Sequence, residues 1–285
     1  MIEIIKNVIS VCELKDIKVW SISNNYILKN IEASNYTLIV PDSQIDEFRK
    51  VTNSKFRIIG ELSITGNVKE ILHQKISTHR TERFGWYFQQ FIKLCALEME
   101  SGDDVILIWD ADTVPLKNLN FFDNDGNLIH YSGNENHLPY FKNINNLLKM
   151  KKENEYSFIA QCIAVRANWA KDFFQHITEN NNNKDWRTAI IDSIDFSQES
   201  GFSEYEALGT FITHKFSEDT VRTTNRWIRH GNRLIGGIQN LEAESSVGKL
   251  SPYDFASFEL WDENSSFIRR VWNKIRGMKS FTSAR

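Results

Sequence analysis

The apolar positions of the chain fall into short runs of β-branched and large residues and into longer segments with helical spacing. The short runs predict strands at 18–23, 36–40, 56–59, 105–109 and 157–165. The longer segments predict helices at 45–51, 68–76, 84–100, 138–152, 169–177, 186–194 and 204–215. Strands that alternate with helices are typical of a mainly parallel sheet with helices on its faces. We therefore predict an α/β, Rossmann-like fold.

The most apolar of these runs, Val105 to Trp109, ends abruptly in Asp110 and Asp112, and Pro115 follows. Two carboxylates at the end of a buried strand cost free energy unless a cation neutralises them. Mn²⁺ or Mg²⁺ with phosphate oxygens in its open positions is the usual partner. In open parallel sheets, ligands bind beyond the carboxyl ends of the strands. The pair predicts a metal-dependent enzyme with a phosphorylated or nucleotide-linked substrate; the alternative is a surface turn, where Asp is common.

The aromatic-rich helix predicted before this strand carries polar residues that must be paired if they are buried. Gln90 and Lys93 share a face with Trp86. Arg80, Arg83 and Lys93 are candidates to hold a donor diphosphate, the arginines by bidentate contacts and the lysine as a point charge. The alternative is a core helix whose polar groups form structural hydrogen bonds.

Composition narrows the class of protein. The chain has 285 residues, 41% of them hydrophobic and 12% aromatic, which is enough for a large globular core. Its formal net charge of −3 argues against a nucleic-acid partner. Three widely spaced cysteines form neither a disulfide framework nor a zinc pattern, which favours the cytoplasm. Neither a signal peptide nor a bilayer-spanning run is predicted.

The C-terminal segment 267–285 differs from the rest in charge, because it holds six basic residues and no acidic one. Phe267, Val271 and Ile275 are four positions apart, so they would share one face of a helix. We predict a domain at 1–266 followed by this basic amphipathic helix. The helix either lies on the anionic inner face of the cytoplasmic membrane as a peripheral anchor, or packs on the protein's own core.

Three motifs, taken in order, resemble a bacterial family of GT-A-type glycosyltransferases known mainly as a domain of unknown function. They are Arg-Phe-Gly-Trp-Tyr-x-Gln-Gln-x-x-Lys-Leu at 83–94, Trp-Asp-Ala-Asp-Thr-Val-Pro-Leu at 109–116 and Phe-Ser-Glu-Tyr-Glu-x-x-Gly at 202–209. The resemblance covers roughly residues 15 to 235, and the combination is more specific than any one motif.

The resemblance implies a GT-A-like fold with a divalent metal at Asp110 and Asp112. It implies transfer of a hexosyl group from a nucleotide-diphosphate donor, and a UDP-sugar is the donor that we favour. The family is associated with surface polysaccharide and lipooligosaccharide gene clusters. The implied acceptor is therefore a saccharide or a lipid-linked saccharide.

The third motif fits the start of a helix, with Ser203 as N-cap and Glu206 three residues on in a capping box. That pattern leaves Glu204 free to deprotonate an acceptor hydroxyl, as an inverting transfer requires. Alternatively, Glu204 and Glu206 accept hydrogen bonds from sugar hydroxyls. Both are candidate catalytic residues. Tyr205, by stacking on a sugar, and His137 are candidates for binding the acceptor.

A third metal ligand in GT-A folds is often a histidine late in the domain. His214 and His230 are the candidates, and we favour His230 because Arg229 and Gly231 flank it in a basic context. The alternative for either residue is an ordinary surface histidine.

Two other functions remain open at this point. Asp110 and Asp112 also resemble the motif of haloacid-dehalogenase-type phosphatases, in which the first Asp is phosphorylated and the second acts as acid and base. That motif normally lies near the N-terminus, whereas here it lies beyond residue 100. The second of these alternative hypotheses is a non-catalytic carbohydrate-binding protein.

Overall fold

The structure is a computed structural model that describes residues 3–77, 81–223 and 226–262. The chain forms two compact units. The first unit takes residues up to 14, from 32 to 110 and from 120 to 225, and the second takes 15–31, 111–119 and the residues from 226.

Strands and helices alternate along much of the described chain. The strands are β1 (Ile5–Val11), β2 (Ala33–Val40), β3 (Phe56–Gly60), β4 (Val105–Trp109), β5 (Thr113–Pro115), β6 (Leu128–His130), β7 (Cys162–Arg166), β8 (Thr220–Arg222), β9 (Trp227–Ile228) and β10 (Phe255–Ser257). The helices are α1 (Ile17–Asn30), α2 (Ile45–Arg49), α3 (Leu62–Thr65), α4 (Val68–Ile76), α5 (Phe84–Glu98), α6 (Leu138–Leu148), α7 (Ala167–Asn180), α8 (Trp186–Ser193), α9 (Glu204–Lys215), α10 (Gly231–Ile235) and α11 (Glu244–Leu250).

The first unit is built on a five-stranded sheet in the order β3-β2-β1-β4-β7. The first four of these strands are parallel, and β7 runs antiparallel to β4. Helix α5 packs against β1, and α7 packs against β7. The predicted α/β class, with a mainly parallel sheet flanked by helices, is confirmed. A small parallel pair, β6 with β8, completes the strands of this unit.

Strand β4 occupies the position that its composition predicts. All five of its residues are buried, and it lies between β1 and β7. The chain builds outward from β1 through β2 to β3, and then returns to add β4 on the other side of β1. The carboxyl ends of β1 and β4 are therefore neighbours at the point where the strand order reverses, and Ile9 lies opposite Ile108 in that pairing. Such a point is where open α/β sheets bind ligands.

The prediction of a strand at 18–23 is wrong, because these residues belong to helix α1. The buried face of α1 contains Ser23 and Asn24 beside Val19, Trp20 and Ile27, so polar residues interrupt the apolar period. Both of these buried polar side chains donate to a backbone carbonyl: Ser23 Oγ to that of Ala111 at 2.8 Å, and Asn24 Nδ2 to that of Trp20, one turn earlier, at 2.6 Å. The strand that precedes the helix, β1, was not predicted.

In the second unit, α1 packs on β5, in a three-stranded sheet of order β5-β10-β9. Strand β10 pairs antiparallel with β5 and parallel with β9. The apolar core of this unit consists of Val19, Val114, Ile235, Ile238, Leu241, Leu250, Ala256 and Phe258.

Helix boundaries agree with the sequence pattern at 68–76 and 204–215, and α6 ends earlier than predicted. Lys149 takes a left-handed backbone, with φ of 55°, and stops α6 at Leu148. The predicted basic helix 267–285 lies outside the described residues, so the boundary at 266 stays a prediction. Within the described part of the chain, no helix is both long and apolar enough to span a bilayer.

Candidate functional site

Asp110 follows β4 directly, and its carboxylate is held by two side chains of the first unit. Its Oδ1 accepts a hydrogen bond from Tyr205 Oη at 2.7 Å and lies 2.6 Å from Lys93 Nζ. Its backbone N–H donates to the carbonyl of Gln161 at 2.9 Å. Within the described residues, its second oxygen, Oδ2, makes neither a hydrogen bond nor an ion pair. Of the two oxygens of Asp110, Oδ1 thus has two side-chain partners and Oδ2 has none among the described residues.

Lys93, on α5, bridges two acidic residues that are distant in sequence. Its ammonium lies 2.6 Å from Asp110 Oδ1 and 2.7 Å from Glu204 Oε1, and the side chain is only 6% exposed. Burial alone would lower the pKa of Lys93, but the charges of Asp110 and Glu204 outweigh it and raise that pKa above its ordinary value. Lys93 is therefore a permanent cation in this site.

Tyr205 completes what we call the Lys93 cluster, which consists of Lys93, Asp110, Glu204 and Tyr205. The Tyr205 ring is buried, with the Lys93 ammonium 4.4 Å from its centroid. Burial, and then the charges of Asp110 and Glu204, raise the pKa of the Tyr205 hydroxyl well above its ordinary value, so it stays a hydrogen-bond donor. The role of Tyr205 in stacking on a sugar stays a prediction, and what the structure shows is that its hydroxyl donates to Asp110 Oδ1.

Gln90 joins the two helices that carry this cluster. Its Oε1 accepts from the backbone N–H of Glu204 at 3.0 Å, and its Nε2 donates to the carbonyl of Trp86 at 3.2 Å. The side chain is almost fully buried. Gln90 and Lys93 lie one turn apart on α5. Both therefore hold the first turn of α9, and Gln90 contacts protein groups at both ends of its amide.

The start of α9 follows the predicted cap only in part. Ser203 is the N-cap, and its Oγ accepts from the backbone N–H of Glu206 at 3.3 Å. The Glu206 carboxylate does not accept a hydrogen bond from the backbone N–H of Ser203, as a full capping box requires. Its Oε2 lies 2.7 Å from Lys152 Nζ, and its Oε1 accepts from the Ser157 hydroxyl and from the backbone N–H of Phe158. Both oxygens of this buried carboxylate are therefore used to tie residues 152–158 to α9.

Arg83 and His137 meet at the segment that precedes α9. Arg83 Nη2 donates to Ser200 Oγ at 2.6 Å and Nε to the carbonyl of Glu199 at 3.1 Å, while its guanidinium lies 4.2 Å from the Trp86 ring centroid. His137 Nε2 bonds the carbonyl of Ser200 at 2.8 Å. The structure therefore brings these two predicted residues together through Ser200, a residue that sequence reasoning missed.

The remaining predicted residues are not members of the Lys93 cluster. Arg80 falls outside the described residues. Asp112 belongs to the second unit, where its carbonyl accepts from the backbone N–H of Phe258 at 2.8 Å. His230 is also in the second unit, with Nδ1 3.4 Å from Asp262 Oδ1. His214, in the first unit, bonds the carbonyl of Lys151 through Nε2 at 2.8 Å.

The chemistry around Asp110 fits a divalent cation. The Lys93 ammonium already lies on one oxygen of the carboxylate as a cation, and the other oxygen is the hard ligand that Mg²⁺ and Mn²⁺ prefer. Among the residues that the structure describes, no three His, Cys, Asp or Glu side chains form a ready ligand set. A Mg²⁺ site of the kind that relies on one or two carboxylates and substrate phosphates needs no such set.

A sequence profile of the family of unknown function DUF6492 matches residues 17–270, which is most of the chain. The chain belongs to this family. No curated protein is similar enough in sequence to match it. The DUF6492 chain is also similar to solved structures, at low identity.

Three solved structures illustrate that similarity, and all are glycosyltransferases. The galactosyltransferase LgtC with donor and acceptor sugar analogs is 9% identical, with a TM-score of 0.46, over 88% of this chain and 86% of that chain. Mouse xyloside xylosyltransferase 1 is 9% identical, with a TM-score of 0.48, over 90% and 98%. The bifunctional glycosyltransferase WbbM is 13% identical, with a TM-score of 0.43, over 90% and 46%. The fold assignment of the DUF6492 chain rests on its own sheet topology.

Proposed function

We propose that this protein is a metal-dependent glycosyltransferase that moves a hexosyl group from a nucleotide-diphosphate donor, with a UDP-sugar as the favoured donor. The acceptor would be a saccharide or lipid-linked saccharide of a bacterial surface glycan. One observation carries the proposal. Asp110 lies at the carboxyl end of a fully buried strand, where the strand order reverses, with one oxygen fixed by Lys93 and Tyr205 and the other left for a ligand.

On the donor side, Asp110 and Asp112 would hold Mn²⁺ or Mg²⁺, with Asp112 included because of its spacing in the chain. When bound, the metal offsets the negative charge that develops on the leaving nucleotide diphosphate. Lys93 adds a fixed positive charge beside Asp110 that stabilises the same leaving group. Arg80 remains a proposed contact of the donor diphosphate and His230 a proposed third metal ligand, both on sequence grounds alone.

On the acceptor side, the geometry favours one of the two roles that the sequence left open for Glu204. Accepting a proton would break the ion pair between Glu204 Oε1 and Lys93, so general-base catalysis by this residue is disfavoured. Its second oxygen makes no hydrogen bond with the described residues and can accept one from a sugar hydroxyl. Both carboxylate oxygens of Glu206 already have partners within the protein, so we assign this residue no contact with substrate.

A thermal-shift screen tests the proposal. The purified protein is melted with UDP, GDP, CDP and their sugars, each with and without Mn²⁺. A ligand that binds only the folded state raises the melting temperature, and the shift grows with the affinity and the concentration of the ligand. The expected result is stabilisation by one nucleotide class that requires Mn²⁺ and disappears with EDTA, followed by metal-dependent turnover of that nucleotide sugar.

The same preparation separates the competing functions. Release of phosphate from p-nitrophenyl phosphate, with no response to nucleotides, would overturn the proposal in favour of the phosphatase. Stabilisation by oligosaccharides alone, without turnover of any nucleotide sugar, would favour the non-catalytic carbohydrate-binding protein.

A further inference from the structure

The charges of the Lys93 cluster do not balance. Asp110 and Glu204 contribute two negative charges and Lys93 one positive charge, while Tyr205 contributes a neutral hydroxyl. The formal charges of these side chains therefore sum to −1. A divalent cation that binds through Asp110 would therefore be attracted by this single net negative charge and not by the two charges of Asp110 and Glu204.

The lysine is also fixed in place. Its ammonium is within 2.7 Å of both carboxylates, its side chain is 6% exposed, and Tyr205 Oη lies 3.3 Å from it. A cation that approached Asp110 Oδ2 would meet this ammonium on the other oxygen of the same carboxylate. Because Glu204 also binds the ammonium, Lys93 cannot withdraw without leaving a buried acid unpaired. The repulsion between the two cations would persist in a partly buried site, where water screens it poorly.

A diphosphate changes this balance, because it brings at least two negative charges of its own. We propose that Lys93 is the resident counter-ion of Asp110, so that a divalent cation binds this site tightly only together with the diphosphate of the donor. The inference rests on the proposed function and adds to it the coupling between metal and donor, with Lys93 as the residue responsible.

The test measures Mn²⁺ binding without any turnover. Free Mn²⁺ is followed by electron paramagnetic resonance as protein is added, first with Mn²⁺ alone and then with UDP, or with the nucleoside diphosphate that the thermal screen selects. The variants form a charge series: Lys93→Gln makes the cluster more negative, Lys93→Arg keeps its charge, and Glu204→Gln makes it more neutral.

A matched control removes another lysine that is paired with a buried carboxylate. Lys69 Nζ lies 2.6 Å from Glu61 Oε1. Both residues belong to the first unit, and Glu61 directly follows β3. Strands β2 and β1 lie between β3 and β4 in the sheet, a separation of roughly 14 Å at about 4.8 Å per strand. Lys69→Gln should leave Mn²⁺ affinity within twofold of the wild type.

With Mn²⁺ alone, we expect Lys93→Gln to bind at least about tenfold more tightly than the wild type and Glu204→Gln more weakly, since an unscreened unit charge lies beside the cation. Lys93→Arg should match the wild type. Added nucleoside diphosphate should then raise the Mn²⁺ affinity of the wild type more than that of Lys93→Gln. Circular dichroism checks that each variant is folded.

Equal Mn²⁺ affinity in the wild type, Lys93→Gln and Glu204→Gln would overturn the inference and leave the proposed function intact. If Lys93→Gln does not fold, Glu204→Gln and Lys93→Arg still decide, because unchanged affinity in Glu204→Gln contradicts the charge argument. If no form of the protein binds Mn²⁺, with or without nucleoside diphosphate, the metal-dependent function itself fails.

Discussion

At the scale of single residues, Asp110 is the side chain on which the proposed chemistry depends. Asp110→Asn keeps an oxygen that can accept from Tyr205, and Lys93 keeps Glu204, so the fold should survive. The loss of the charge should lower turnover of the nucleotide sugar by about 10²–10³-fold or more, the range for removing one electrostatic stabiliser of a transition state. Turnover and circular dichroism of the two proteins are compared; a fully active, folded Asp110→Asn would contradict the assignment.

His130 makes a prediction about pH. It is buried, its Nε2 lies 3.0 Å from the carbonyl of Ala164, and burial lowers its pKa to about 4. Because the folded state binds this proton less tightly than the unfolded state, stability should fall as the pH drops from about 6.5 toward 4. The expected contribution by pH 4 is of the order of 3 kcal/mol.

Urea unfolding at several pH values between 4 and 7 measures this effect, with His130→Gln as the comparison. The amide of Gln can still donate to the carbonyl of Ala164 but does not titrate in this range. The free energy of unfolding should therefore depend less on pH in the variant. Parallel curves for the two proteins would show that another group is responsible.

At the scale of elements, the start of α9 is held by two different lysines. Lys93 binds Glu204, and Lys152 binds Glu206, two residues further along the same helix. The side chains of the second pair are only 4% and 1% exposed, and they contact no group that we assign to substrate. We therefore expect it to serve stability alone, by fixing residues 152–158 against the helix.

Glu206→Gln should reduce the free energy of unfolding by about 3–5 kcal/mol, because it leaves the Lys152 ammonium buried without a counter-charge. The double variant Lys152→Met with Glu206→Gln removes that charge and should recover part of the loss. Urea denaturation measures both. A single variant as stable as the wild type would mean that water reaches Lys152.

At the scale of the whole molecule, the basic segment 267–285 carries the prediction about location. Six basic residues without an acid should attract an anionic membrane surface, at about 1 kcal/mol for each residue near it. Deleting 267–285 should therefore reduce binding to phosphatidylglycerol vesicles at low salt while leaving nucleotide binding unchanged. Vesicles of phosphatidylcholine alone are the control. Equal sedimentation of both proteins with anionic vesicles would remove the membrane hypothesis.

The sequence by itself determined the features that depend on neighbours in the chain. The run Val105–Trp109 is apolar on both faces, which only a central strand can bury, and Asp110 must then lie at its end. The cap of α9 at Ser203 was predictable for the same reason, because an N-cap bonds groups within one turn of itself. The order of strands and helices predicted the α/β class, although polar residues on the buried face of α1 concealed that helix.

Only the tertiary structure decided which partners meet. Lys93 and Glu204 are 111 positions apart, and no periodicity relates them. The spacing in the third motif predicted a capping role for Glu206 and left Glu204 free, yet Glu204 lies on Lys93 and Glu206 has both oxygens engaged by Lys152, Ser157 and Phe158. The physical reason is that the partners of a buried carboxylate set what it can do, and those partners come from elements that the chain brings together from far apart.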